Sequence, residues 1–173
     1  TMRAELFAKD IASCVSSTLS PHRLAPPSTL TGVNLPNKAR DVLRPLPTLR
    51  ALASQLPPEI LESFTPHYSL KFNYAGSAPA TISAFHTFCH EAHALRVRQM
   101  LLVSGSGSRS VDSIACLRSL SESTPHPEIG VAFNPYFPER AARERERARL
   151  RQKLATGRVA AVWLQIGTDL QLL

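Results

Sequence analysis

The chain has 173 residues, of which 43% are hydrophobic, and a formal net charge of +7. This length and apolar content are sufficient for one domain with a buried core. No apolar run reaches the roughly 18 residues that a membrane-spanning helix needs, so the sequence predicts no transmembrane segment. The three cysteines form no CxxC pair, which favours a reducing intracellular compartment, cytoplasmic or mitochondrial, over a disulfide-linked secreted domain. The basic balance is compatible with nucleic-acid or phosphate partners but indicates no fold.

The first 19 residues, TMRAELFAKDIASCVSSTL, are amphipathic and contain serine together with Arg3 and Lys9. These features are typical of an organelle presequence. However, transit peptides avoid acids, and this segment contains Glu5 and Asp10. We therefore favour the alternative, which is an ordinary first helix.

Residues 1–60 hold much of the proline and predict an irregular N-terminal segment with a candidate first βα unit. The candidate strand covers Leu30 to Val33, and the candidate helix covers Thr48 to Gln55.

Residues 61–173 alternate between apolar, β-rich runs and stretches of helical character. The predicted strands are Tyr68 to Tyr74, Gln99 to Val103, Ile129 to Phe133 and Val159 to Ile166, and the predicted helices are Ala80 to Val97, Ser110 to Ser121 and Pro138 to Thr156. This alternation predicts βαβ units and a parallel sheet, which is an α/β fold. Right-handed crossovers then bring the C-terminal ends of all strands to the same edge.

Four loops would meet at that edge: AGSAP, SGSGS, NPYFPE and GTD. Ligands of parallel α/β proteins bind at the C-terminal ends of the strands. The loop SGSGS, Ser104 to Ser108, is the best candidate for a phosphate cradle, because glycines allow backbone N–H groups to approach an anion. The loop lacks the lysine of a P-loop and the GxGxxG spacing, so a solvent-exposed turn is the alternative.

The last predicted helix contains the charged run RERERARLRQK. Oppositely charged residues lie four positions apart, Glu139 with Arg143 and Arg140 with Glu144, which favours a solvated helix face. Pro138 and Glu139 are typical of a helix start. Interleaved acids and the lack of stacking aromatic residues make the run a poor nucleic-acid signal.

The segment HTFCHEAH places His86, Cys89, His90 and His93 in a predicted helix. His86 and His90 are four residues apart and could share a face as two zinc ligands. The HExxH spacing is absent, and the helix also needs a buried face, to which Cys89 would contribute. We therefore expect histidines without a metal.

The block IGVAFNPYFPERAARERERARLRQKLATGRVAAVWLQIGTD resembles the methylenetetrahydrofolate reductase family, whose flavin-binding domain is a β/α barrel. Residues that match the family pattern are Pro138, Glu139, Lys153, Gly157 and Gln165. Upstream, TPHYSLKF resembles the family strand that carries a histidine, here His67, and RQMLLVSGSG resembles the strand that ends in RGD. The resemblance spans about Phe64 to Asp169, and it implies that residues 61–173 form part of a (β/α)8 TIM barrel.

The resemblance also implies roles. Lys153 and Glu146 would contact the phosphate or ribose portion of FAD, and His67 would line the flavin pocket. Gln165, the implied catalytic residue, would touch the flavin or the folate. The remaining implied cofactor-binding positions are Gly105 and Ser106 in the RGD-like turn and Phe133 at the tyrosine of the family's YP motif. For Lys153 the alternative is a solvated charge near a helix C-terminus whose loss hardly affects stability.

Several residues depart from the family. Ser104 and Ser106 replace the arginine and aspartate of RGD, and Phe137 replaces a histidine. No segment of residues 1–60 resembles the family's first strand with its glutamate general acid. A complete barrel also needs about eight strands and about 250 residues.

Two functions therefore remain open. The first is a divergent FAD-dependent oxidoreductase that acts on a folate or another small molecule. The second is a non-catalytic barrel remnant that serves as a structural subunit of a larger assembly, mitochondrial or ribonucleoprotein. In either case we expect that a second copy or another protein covers the open edge of the barrel, or that the sequence is a fragment of a longer chain.

Overall fold

The computed structural model describes residues 2–5, 10, 12–13, 16, 30–37, 44–105, 111–165, 167 and 169. In these residues the elements are β1 (Met2–Glu5), β2 (Leu30–Leu35), α1 (Pro45–Ala53), α2 (Pro58–Leu61), β3 (Phe64–Ser69), α3 (Ala78–Ala94), β4 (Gln99–Val103), α4 (Ser113–Ser119), β5 (Glu128–Phe133), α5 (Arg140–Leu154) and β6 (Val159–Leu164). None of these helices has the length and apolar character that crossing a membrane requires.

The six strands form one sheet in the order β1-β2-β3-β4-β5-β6, and all neighbouring pairs are parallel. Each strand lies beside the one that precedes it, so right-handed crossovers place all the helices on the same face. A doubly wound sheet reverses its strand order, whereas a TIM barrel does not. The predicted α/β class and parallel strand–helix repeat are confirmed, and the strand order is consistent with part of a barrel.

The helix-covered face of the sheet, called the outer face here, forms the hydrophobic core. Its fully or nearly fully buried strand residues are Phe64, Tyr68, Met100, Leu102, Ile129 and Val131, and the helices contribute Leu49, Leu52, Phe85, Cys89, Cys116 and Leu117. Val33 and Leu35 of β2 belong to the same cluster. β2 and α1 therefore belong to the same core as the elements that follow them.

The opposite face, called the concave face here, is strongly curved. The rings of His67 on β3 and Trp163 on β6 meet edge to face, with centroids 6.0 Å apart. On a flat sheet the two side chains would stand about 14 Å apart, because three gaps of about 4.8 Å separate these strands. The sheet must therefore curl around this face, as the wall of a barrel does.

The prediction of a helix over the first 19 residues is wrong at its start. Met2–Glu5 forms β1, which pairs with β2 through Arg3 opposite Gly32 and Glu5 opposite Asn34. Residues 12, 13 and 16 are helical. Pairing with an existing strand outweighs the weak helical preference of a four-residue segment.

The predicted bounds of β3 were also wrong. The predicted start, Tyr68, lies four residues after the observed start, Phe64. The alternating run from Tyr68 onward leaves the sheet after Ser69, whose carbonyl accepts hydrogen bonds from the N–H groups of Phe72 and Asn73, each at 3.1 Å. These bonds form a turn in place of a strand. In contrast, β4, β5 and β6 begin within one residue of their predicted positions. The candidate strand and helix of the N-terminal third correspond to β2 and α1.

Candidate functional site

The concave face carries small and uncharged side chains between its aromatic groups. By strand register and alternation its residues include Asn34, Thr65, His67, Ser69, Leu101, Val103, Gly130, Ala132, Ala161 and Trp163. Thr65, Ser69 and Leu101 are buried, although by alternation they face away from the core that the described helices form with the sheet.

Trp163 lies directly over Gly130. A Cβ atom on Gly130 would come within 2.6 Å of the Trp163 Nε1 atom, which is closer than van der Waals contact allows. A glycine on β5 thus makes room for the indole of β6, and the indole then reaches His67. These contacts fix an aromatic pair across the interior of the curved sheet.

The C-terminal edge of the sheet begins with an amide network between the loops that follow β2 and β3. The Asn73 side-chain amide donates to the Asn37 Oδ1 atom and to the Ser69 carbonyl, each at 2.8 Å. The Ser69 N–H also points to Asn37 Oδ1, at 3.4 Å. Asn37 is 8% exposed. These hydrogen bonds between uncharged groups therefore connect the loop after β2 to the loop after β3.

The loops after β3 and β4 approach each other at Gly105. This residue has a φ angle of +77°, and a Cβ atom there would lie 2.7 Å from the Lys71 Cβ atom. Both features require glycine. The Lys71 ammonium lies 5.7 Å from the Phe72 ring centroid, and the side chain is exposed. Lys71 therefore provides a positive charge at the edge, next to a glycine whose backbone is accessible to close approach.

The loops after β5 and β6 complete the edge. The N–H of Tyr136 donates to Asn134 Oδ1 at 2.9 Å, which closes a local turn, and the Tyr136 ring packs against Gly167. Gln165 extends the pairing of β6, because its N–H donates to the Phe133 carbonyl at 2.9 Å. Its side chain is exposed. The aromatic turn NPYFPE thus packs on the chain that follows β6.

Glu5 is the last residue of β1 and lies opposite Asn34 in the register. In the register Glu5 lies level with Asn34 of β2 and Thr65 of β3. The structure therefore contains a first strand that ends in a glutamate, which sequence reasoning did not identify. The strand was missed because four residues show no clear alternation.

The structure divides the candidate residues between two faces. His67 lies on the concave face, and Gly105 and Gln165 lie at its C-terminal edge. Phe133 is buried and shares the alternation of Ile129 and Val131, so it belongs to the outer face. The remaining two, Glu146 and Lys153, are on α5, which packs on that same outer face. Ser106 lies outside the described residues.

Lys153 is not a solvated charge. Its side chain is 6% exposed, and its ammonium donates a hydrogen bond of 2.9 Å to the Ala132 carbonyl on β5. Burial lowers the pKa of Lys153, while the nearby carboxylate of Glu146 acts in the opposite direction. The expectation that its loss hardly affects stability is therefore revised, because removal would leave a buried carbonyl without this donor.

The helix start after SGSGS is already occupied by a carboxylate. Asp112 caps α4 by accepting from the Ala115 N–H at 2.9 Å, and it also pairs with Arg149 at 3.3 Å. Ser104 Oγ accepts the Ser113 N–H at 3.3 Å. An anion placed at this helix start would meet the charge of Asp112. Residues 106–108 of the proposed phosphate cradle lie outside the described residues.

The charged helix begins as predicted, with Glu139 at its N-cap. Arg140 pairs with Glu144 at 2.8 Å, which confirms one predicted ion pair. Arg143 donates from Nη1 to the carbonyls of Phe137 and Pro138, each at 2.8 Å.

The histidine-rich helix α3 has structural contacts for two of its candidate ligands. His86 Nε2 lies 2.8 Å from Ser119 Oγ, and the buried Cys89 Sγ lies 3.9 Å from Met100 Sδ. Within the described ranges, no group of three or more His, Cys, Asp or Glu side chains converges on a common metal position.

Sequence reasoning missed four residues at the candidate site: Glu5, Lys71, Tyr136 and Trp163. The alternation of VAAVWLQI could have placed Trp163 on the face opposite Val162, but the curvature that brings it to His67 is a property of the whole sheet. No family model matches the chain, and a search of curated proteins finds no match. The fold and the residues at the C-terminal edge therefore carry the functional argument.

Proposed function

We propose that the chain is a divergent methylenetetrahydrofolate reductase-like protein that binds FAD at the C-terminal edge of its concave face. One observation carries the proposal. His67, Gly105 and Gln165, three residues that the family resemblance implicates, lie on or directly after β3, β4 and β6 of one curved parallel sheet. Ligands of such sheets bind at this edge.

The chemistry of the edge suits a planar heteroaromatic ring. Ser69, Val103 and Ala132 form a floor of small side chains on the concave face. The Gln165 amide offers both donors and an acceptor to ring nitrogens and carbonyls. Trp163 and Tyr136 add aromatic surface near the same edge, and aromatic groups contact one another favourably. This combination supports a flavin more directly than it supports a flexible ligand.

The diphosphate requires a cation, and Lys71 is the better candidate. It is exposed beside Gly105 at the C-terminal edge, whereas Lys153 is buried on the outer face and bonded to Ala132. A lysine supplies a point charge and up to three donors to phosphate oxygens. We therefore assign to Lys71 the role that the resemblance gives to Lys153.

Reduction of a folate or another small electrophile also needs a proton donor near the flavin, and a carboxyl group can serve. The position of Glu5 at the end of β1 supports this role. FAD bound here and reduced by NADH or NADPH would supply the hydride. The contribution of the chain would be to hold the ring, to exclude water and to donate the proton from Glu5.

The binding proposal is tested by reconstituting the full chain with FAD, removing unbound flavin and recording the flavin absorption bands. Lys71→Ala should weaken FAD binding about tenfold or more, because a charge-assisted contact contributes roughly 1.5–3 kcal/mol. Arg151→Ala removes a cation from α5, away from this edge, and is the matched control. A chain that stays colourless and leaves the fluorescence of added FAD unchanged would refute the proposal.

The catalytic proposal is tested with Glu5→Gln. We expect unchanged FAD binding and a loss of methylenetetrahydrofolate reduction by about 10²-fold to 10⁴-fold, the usual contribution of a general acid. Oxidation of NADH or NADPH by a quinone acceptor, which needs no such donor, should be retained. If Glu5→Gln reduces the folate at the normal rate, Glu5 is not the donor.

A second candidate function, that of a structural subunit in a larger assembly, is favoured by exposed apolar surface. Val162, Leu164 and Leu154 are 38%, 52% and 46% exposed. A second copy or another protein would cover this surface and the open edge of β6, whereas nucleic acid would engage only the arginines. A native mass in extract that equals the mass of one chain at low and high salt would argue against the subunit role.

A further inference from the structure

The outer face of β6 differs from the outer faces of β3, β4 and β5. Ala160, Val162 and Leu164 are exposed on it, and they alternate with Ala161 and Trp163 on the concave face. The equivalent outer positions of the three preceding strands, represented by Tyr68, Leu102 and Val131, are buried beneath helices. β6 therefore presents an exposed apolar strip on its outer face.

Helix α5 forms a wall beside this strip. Its partly buried Leu150 packs on the core, its Lys153 reaches β5, and its Arg149 pairs with Asp112 of α4. These contacts define the rotation of α5 about its own axis. At 100° per residue, the flank that points away from α4 and toward β6 carries Arg140, Arg143, Arg147, Arg151 and Leu154.

The wall carries four arginines, and the other three basic residues of α5, Arg145, Arg149 and Lys153, lie elsewhere on the helix. Residues Arg140–Leu154 contain seven basic and two acidic residues, which gives a net charge of +5. One acid, Glu144, is paired with Arg140. Leu154 shares the flank with the arginines and is exposed, so apolar and positive groups lie side by side. Exposed apolar surface of this kind, bordered by charge, is typical of a protein interaction site.

We propose that this groove, with a floor of Ala160, Val162 and Leu164 and a wall of the α5 flank, binds an acidic amphipathic helix of a partner protein. The leucine or similar side chains of such a helix would cover the floor, and its carboxylates would face the arginines. The inference deepens the subunit function proposed above, on which it rests.

Two other occupants fit less well. A second copy would bring another α5 with the same net charge of +5, and like charges across an interface are unfavourable. A single-stranded nucleic acid could neutralise the arginines, but bases are held mainly by stacking on aromatic side chains. The eight groove residues include no aromatic side chain.

The probe is a fluorescent synthetic peptide with leucine at positions i, i+3, i+4 and i+7 and glutamate at most others, titrated with the full chain. One control peptide has the same composition with scrambled leucines, and another has lysine in place of glutamate. We expect binding of the first peptide only, with affinity that falls as the NaCl concentration rises.

Three single substitutions test whether the peptide binds in the proposed groove. Leu164→Thr keeps a good strand former on the exposed face and should weaken binding about tenfold, since one large aliphatic contact is lost. Arg151→Glu should weaken it about threefold to tenfold. Arg145→Glu makes the same charge change on the opposite, solvent-facing side of α5 and should leave affinity unchanged. Both arginines are exposed, so we expect that neither change unfolds the chain.

Several results would overturn the proposal. They are equal binding of the scrambled peptide, equal effects of Arg151→Glu and Arg145→Glu, or displacement of the peptide by poly(U) RNA at stoichiometric concentration. Dimerisation that Leu164→Thr abolishes would assign the groove to a second copy. Binding that appears only after deletion of residues 166–173 would assign it to the chain itself. Failure of the peptide refutes the groove alone, since the native mass in extract tests the subunit role separately.

Discussion

The outer faces of β4 and β6 carry similar apolar side chains in very different surroundings. Leu102 on β4 is 1% exposed beneath the helices, whereas Leu164 on β6 is 52% exposed. Both strands belong to the same parallel sheet and show the same alternation of faces. The apolar pattern identifies the outer face, but the presence of a covering helix decides whether that face becomes core.

The same comparison separates stability from function. Complete burial of a leucine contributes roughly 1.5–3 kcal/mol, so the residues under α3 and α4 hold the fold together. The exposed Leu164 of β6 contributes little to folding and is available for binding. The concave face adds a third environment, in which His67, Gly130 and Trp163 fit together without a helix.

The largest predicted effect comes from one chemical change made on both strands. Leu102→Ala should lower the free energy of unfolding by about 2–5 kcal/mol, because the change leaves a cavity in the core. Leu164→Ala should change it by no more than about 0.5 kcal/mol, as is usual for exposed positions. Urea denaturation followed by circular dichroism measures both. Similar losses for the two variants would mean that the outer face of β6 is covered.

On the concave face, Gly130→Ala should cost about 1–3 kcal/mol, because the added methyl group meets the Trp163 indole. The loss should be smaller when the same change is made in a Trp163→Leu background, which removes the indole. A double-mutant cycle of unfolding free energies measures this coupling. Strictly additive losses would place the indole elsewhere than over Gly130.

On α5, Lys153→Ala should lower stability by about 1–3 kcal/mol, because the buried Ala132 carbonyl loses its donor. Arg151→Ala, also a loss of one cation from the last turn of this helix, should change stability by no more than about 0.5 kcal/mol. Thermal and urea unfolding compare the two variants. If both changes were equally mild, Lys153 would be solvated in solution.

The smallest predicted effect concerns pH. Burial raises the pKa of both Cys89 and Cys116 to about 12, from an ordinary value of 9.0. The unfolded chain therefore loses these protons first as pH rises. The stability that the protonated thiols provide is complete below pH 9.0 and is lost as pH rises toward 12. The loss should be about 1 kcal/mol per thiol by pH 10.

The control is the double variant Cys89→Ala/Cys116→Ala. It should start from a lower stability because of the cavities, and its stability should fall less steeply between pH 8 and pH 10. Other titrating groups, including the buried Lys153, are common to both proteins and largely cancel in the comparison. Parallel pH profiles for the two proteins would show that the thiols are already exposed to solvent.

Much of the fold follows from local pattern. The runs at β4, β5 and β6 were recognised because buried parallel strands are continuously apolar and are bounded by turn residues. β1 was missed because its four residues form a strand only through pairing with β2. The end of β3 was placed too late because the turn after Ser69 continues the alternation of the strand.

The site was less accessible from sequence than the fold. The resemblance identified His67 and Gln165, and the sheet brings them to the concave face and its edge. Phe133 could have been excluded, since it alternates with Ile129 and Val131 on the outer face. In contrast, the burial of Lys153 and the contact of Trp163 with His67 depend on helix orientation and sheet curvature. No local pattern encodes either property.

The most direct test of flavin binding at the concave face uses Trp163, the only tryptophan of the chain. Its indole lies over Gly130 and against His67, within the surface proposed to hold the ring. Titration with FAD, corrected for absorption with free tryptophan, should quench its fluorescence to a plateau at one flavin per chain. Lys71→Ala should shift that plateau to about tenfold higher FAD concentration. FAD that binds without quenching Trp163, or no saturable quenching at all, would contradict the assignment of a flavin site to this face.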